Sequence, residues 1–182
     1  MPIYIALLRG INVGPHKRMK MDKLRLTCEG AGFEKVCTYI QSGNIVFIAA
    51  RLSPAALEKK LGEAIARDFD FSCDVIVRSR EELKKIIETN PLLKESDVDP
   101  AKLHVVFLAE EPGTAAMKKL QEIILAPDHV RTCGREIYFY FPNGVSSSSL
   151  WKHPLDKVVA VSGTMRNWNT VTKLFHMAQE LE

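Results

Sequence analysis

The chain has 182 residues, 46% hydrophobic and 26% charged, the balance of an ordinary globular protein. That length suits one larger or two small domains, and buries roughly 70% of the unfolded surface without a covalent staple. No apolar run approaches the roughly 18 residues of a membrane span. The opening MPIYIALLRG lacks the charged start and small-residue cleavage site of a secretion signal. A cytoplasmic location without a membrane partner is therefore expected.

Residues 2–9 form a predicted apolar strand closed by Arg9-Gly10, and the loop INVGPHKR follows with its turn at Gly14-Pro15. Met19 to Ala31 places Met21, Leu24 and Cys28 at helical spacing, and Gly30 and Gly32 end that helix. Lys35 to Ile40 and Asn44 to Ala49 are rich in β-branched and aromatic residues, and Gln41-Ser42-Gly43 joins them as a hairpin. Ser53-Pro54 starts a helix in the cap-then-proline arrangement, running through Leu57, Leu61 and Ile65 to about Phe69. Asp74 to Arg78 is the next strand. The order β-α-β-β-α-β is the split-βαβ pattern, in which two helices cover one face of an antiparallel sheet. Residues 1–79 should thus form one four-stranded sheet with both helices on the same face.

Residues 80–90 predict a short charged helix stopped by Pro91, and 91–100 show no periodicity, so 81–100 reads as a connection. A strand at Leu103 to Ala109, a helix at Thr114 to Leu125 and a hairpin around Gly134 follow. After the serine tract Ser146 to Ser149, a helix is expected to begin at Leu150. A last one runs from about Arg166 to Leu181, with Trp168, Val171, Leu174, Phe175 and Ala178 on its apolar face. The predicted class is α+β: two ferredoxin-like (α/β-plait) halves with antiparallel sheets, at 1–80 and 101–182. The second half lacks a clear closing strand.

Cys28, Cys37, Cys73 and Cys133 show no CxxC pairing, and the five histidines lie far apart, so neither a disulfide framework nor a metal site is expected. The thiols read as reduced and buried. Charge is uneven: residues 1–80 hold 13 Lys+Arg against 8 Asp+Glu, whereas 81–182 hold 12 against 14. Arg9, Lys17, Arg18, Lys20, Lys23 and Arg25 face only Asp22 within 9–25. Basic clusters of this kind attract phosphates or nucleic acid, or are solvated surface.

Four blocks could carry chemistry. Arg9-Gly10-Ile11-Asn12-Val13-Gly14, flanked by Lys17 and Arg18, combines tight turning with charge-assisted donors. It matches neither GxGxxG nor a Walker loop. Gln41-Ser42-Gly43-Asn44 offers polar turn residues. The expected topology sets this hairpin at the opposite end of the sheet from the first loop. Arg166-Asn167-Trp168-Asn169-Thr170 with Lys173 would cap a helix or face a ligand at its positive end. The serine tract precedes Trp151, Lys152 and His153. No GxSxG, SxxK or carboxylate pair nominates a catalytic group, so catalytic residues are not assigned.

Across ALLRGINVG, TYIQSGNIVF and TMRNWNTVTKL the chain resembles the bacterial domain-of-unknown-function family 1697, nearly end to end. The resemblance implies tandem ferredoxin-like domains and no particular reaction. That family often has a second glycine where Pro15 stands, and a basic residue in its serine segment.

The expected role is a binding protein for a phosphorylated or other anionic small ligand, without a cofactor. Its candidate contacts are Arg9, Asn12, Arg18, Ser42, Asn44, Arg166, Asn167 and Lys173. One anion held by both Arg9 and Arg166 would require the second half to fold back on the first. The alternatives are a nucleic-acid-binding module and an enzyme with unidentified catalytic residues. For nucleic acid, the first hairpin supplies only Tyr39 and Phe47 as stacking residues, short of the usual aromatic pattern.

Overall fold

Apolar residues at alternate positions of three short strands, and at every third or fourth position of two helices, build the first core. The structure, a computed structural model, describes residues 1–95 and 97–181. The strands β1 (Ile3–Leu8), β2 (Glu34–Tyr39), β3 (Asn44–Ile48) and β4 (Val75–Ser79) form one antiparallel sheet, ordered β2-β3-β1-β4. Tyr4, Ala6, Leu8, Ile45, Phe47 and Val77 point to one face of it. Against them pack Leu24 and Cys28 of α1 (Met21–Gly30) and Leu57, Leu61 and Ile65 of α2 (Pro54–Phe69). Both helices therefore cover the same face, as expected. Phe47 is central, with ring centroids 4.7 Å from Phe33 and 5.9 Å from Tyr4.

Local chemistry sets the helix ends. The Ala56 N–H donates to Ser53 Oγ at 3.2 Å, and Pro54 fills the first turn, where its missing N–H is harmless. At the other end of α2, Asp68 accepts from Arg67 Nε (2.7 Å) and from Thr27 Oγ1 of α1 (2.8 Å). These bonds, Arg67 first and then Thr27, hold the Asp68 carboxyl down at about 2. A lowered carboxylate pKa stabilises the fold above the unfolded value near 4 and loses that contribution as pH falls toward 2. Asp68→Asn is expected to flatten the stability–pH curve between about pH 4 and 2, as read from urea midpoints at stepped pH. An unchanged curve would show the bonds to be energetically idle.

The second sheet repeats the first. Its strands are β5 (Leu103–Leu108), β6 (His129–Cys133), β7 (Glu136–Tyr140) and β8 (Gly163–Asn167), ordered β6-β7-β5-β8. Val106, Leu108, Ile137 and Phe139 pack with Met117 and Leu120 of α4 (Thr114–Ile123). β8 corrects the expectation of a missing closing strand, since it pairs with β5 from His104↔Asn167 to Leu108↔Gly163. Its sequence GTMRN conceals it, because Thr164 and Arg166 occupy buried strand positions normally held by apolar residues. The final helix, α6 (Trp168–Gln179), accordingly starts two residues later than expected. Where the first unit carries the 16-residue α2, the second has only α5 (Leu155–Val159) after short 3-10 turns at Val145–Ser147 and Ser149–Lys152.

Along the chain, α3 (Arg80–Glu88) and two more 3-10 turns, at Pro91–Lys94 and Pro100–Lys102, follow β4 and precede β5. By compactness the chain divides into Met1–Lys85 with Lys173–Glu182, and Ile86–Thr172. No helix among the described residues is long and apolar enough to cross a membrane. The cysteines are free, but only Cys28 is buried, Cys37 and Cys73 are half-buried, and Cys133 is exposed. The expectation of uniformly buried thiols is thus corrected, because Cys133 ends the hairpin strand β6 beside its turn.

Candidate functional site

β1 and β2 both run antiparallel to β3, and so are parallel to each other. The C-terminal end of β1 and the β2–β3 hairpin consequently share one end of the sheet, which overturns their expected separation. The start of β4 is there too, antiparallel to β1. Three connections meet at this end, and they carry most of the predicted ligand contacts.

Backbone and side-chain bonds tie the three together. The Leu8 N–H donates to Gly43 O at 2.8 Å, and the Arg9 N–H to Asp74 O at 3.0 Å. Asn12 is the brace: its Nδ2 donates to Met19 O (2.9 Å) and Gln41 O (2.8 Å), while its Oδ1 accepts from the Met19 N–H (2.8 Å). The Asn12 N–H donates to Lys17 O at 3.0 Å, closing the segment between them. Gly10, Asn12, Gly14 and Lys17 all take positive φ, from 52° to 69°. Glycine and asparagine tolerate that region, whereas a lysine is strained there.

The basic residues divide by partner. Arg9 Nη1 pairs with Asp74 Oδ2 at 3.1 Å, and Lys17 Nζ donates to Ser72 O at 2.9 Å. Arg18 and Lys20 are exposed, and among the described residues no ion pair or side-chain hydrogen bond involves either. Arg9 is thus partly structural, and Asn12 is committed to the fold. Ser42 and Asn44 serve the hairpin: Asn44, fully buried, donates through Nδ2 to Ser42 Oγ and to Tyr39 O, both at 2.9 Å. Of the predicted contacts at this end, Arg18 is the one without a partner among the described residues. Lys20 joins it; it was visible only as part of the charge surplus.

The remaining predicted contacts belong to β8 and α6. Arg166 is the penultimate residue of β8 rather than the opening residue of a helix, and is 7% exposed. Its Nη1 donates to Thr164 Oγ1 (2.7 Å) and Met165 O (2.8 Å), and burial pushes its pKa down to about 10. Asn167 Oδ1 accepts from the Thr170 N–H at 3.1 Å, capping α6. Lys173 is exposed on α6. The serine tract is ordered: Ser149 Oγ donates to Ile123 O at 3.0 Å and Ser148 Oγ accepts from the Leu150 N–H at 3.1 Å.

The model of a family described as protein of unknown function (DUF1697) matches residues 1–138. A solved structure of a conserved bacterial protein from Streptococcus pneumoniae is similar, at 27% identity and a TM-score of 0.77, covering 97% of this chain and 98% of that one. No curated protein matches. The chain belongs to the DUF1697 family.

Proposed function

We propose that this family member is a cytoplasmic binding protein for a phosphorylated or otherwise anionic small ligand, held at the basic loop end of its first sheet. The observation that carries the reading is the contrast within residues 9–20. Asn12, fixed by three side-chain hydrogen bonds, braces a loop on which Arg18 and Lys20 stand exposed and without partners among the described residues. Non-glycine residues in the left-handed region concentrate at ligand clamps, and Lys17 at φ 52° is one. A braced loop loses little entropy on capturing an anion, so its charges act at nearly full strength. Stacking of nucleic acid on the first hairpin has little support, since Phe47 lies in the core and Tyr39 is half-buried.

Titration calorimetry with pyrophosphate tests the reading. Hydrogen bonds to charged groups contribute about 1.5–3 kcal/mol each, so Arg18→Ala with Lys20→Ala is expected to weaken binding at least tenfold. Equal affinity of the double variant and the parent, or no binding by the parent, would overturn it.

A further inference from the structure

The opposite end of the first sheet holds a cavity of about 550 Å³. Its lining combines Ile3 and Ile48, at the start of β1 and the end of β3, with Lys35, Arg51, Arg80 and Glu81. Three cations thus surround an apolar floor and face one carboxylate. Glu81 is engaged by Arg80 through Nη2 at 3.0 Å, and this bond helps hold its carboxyl below the usual range, after its own backbone N–H. Lys35 and Arg51 are exposed, and among the described residues no ion pair or side-chain hydrogen bond involves either.

The backbone at Lys35 is the telling feature. Between Glu34↔Ile48 and Cys37↔Val46 the register of β2 against β3 shifts, so β2 spends one extra residue there. Lys35 sits in that bulge at φ 48°. Bulges re-aim side chains beside functional sites, and glycine would hold this conformation without strain. The fold instead keeps a lysine at the mouth of a basic cavity. A volume of this size lies within the range of small-molecule sites.

We infer that this cavity is a second ligand site, distinct from the loop end, and that it takes a small organic phosphate with an apolar or aromatic body. The phosphate meets Lys35, Arg51 and Arg80, and the body rests on Ile3 and Ile48. Arg80 supplies planar donors suited to phosphate oxygens, and Lys35 a mobile point charge.

Adenosine 5′-monophosphate serves as the probe, with adenosine and inorganic phosphate as its separated halves. The full chain is expected to bind the monophosphate at least tenfold more tightly than either half. Read in the loop variant Arg18→Ala with Lys20→Ala, which removes the other anion site, Lys35→Ala with Arg51→Ala should weaken the monophosphate tenfold or more. Lys35→Gly separates binding from folding, because it should weaken binding without lowering the thermal midpoint. Binding unaffected at Lys35 and Arg51, binding lost only in the loop variant, or no preference for the intact monophosphate would each overturn the assignment. A failure of pyrophosphate to bind the loop end would not touch it.

Discussion

Gly43→Ala is expected to destabilise the chain by about 2–5 kcal/mol, combining a left-handed backbone penalty of about 1–2 kcal/mol with overpacking of about 1–3 kcal/mol. Gly43 turns the hairpin at φ 76°, and a methyl group there would stand 2.7 Å from both Leu8 Cβ and Ile11 Cδ1. Leu8 Cβ cannot rotate aside, because it is fixed to the β1 backbone whose N–H donates to Gly43 O. Gly10 provides the control. Its φ of 66° carries the same conformational penalty, but an added Cβ meets nothing within 4 Å. Gly10→Ala should therefore lose only about 1–2 kcal/mol. Urea midpoints for the two variants measure the difference. Equal losses would show that contact with Leu8 and Ile11 adds nothing to the backbone term.

Phe47→Ala should lose about 3–5 kcal/mol, the usual range for emptying a buried aromatic site. The ring is fully buried between Phe33 and Tyr4, on the helix-covered face of the sheet. Tyr39, on the neighbouring strand, is only half-buried, and its removal should lose no more than about 1–1.5 kcal/mol. Denaturant titration of the two variants decides whether these aromatics are core or surface. A small loss at Phe47 would free that ring for stacking and revive the nucleic-acid alternative.

Where side chains alternate cleanly, as along Tyr4, Ala6 and Leu8 or at Leu57, Leu61 and Ile65, the elements were legible from spacing alone. β8 was not, because Thr164 and Arg166 satisfy their polar groups inside the fold and so break the apolar pattern that marks a strand. The shared end of the first loop and the hairpin was derivable from strand directions, but not from composition. Arg9, Asn12 and Asn44 show the harder limit. Residue type nominates a polar group without saying whether a ligand or the protein itself satisfies it, and here Asp74, Met19, Gln41 and Tyr39 provide the partners. Lys35 carried no signal at all. A bulge is a property of register between two strands, and register is written in neither strand separately.

The division of the chain has a consequence for its synthesis. Residues 173–181 belong with the first unit, although they are translated after all of Ile86–Thr172. At about 5–20 residues per second, that intervening stretch occupies a ribosome for roughly 4–17 s. The first sheet can pair as soon as β4 emerges, since every strand of it lies before residue 80. Leu181, which lines the same cavity as Ile3 and Ile48, arrives only after that stretch. A nascent chain therefore displays Lys35 and Arg51 on a cavity whose last wall has yet to be made.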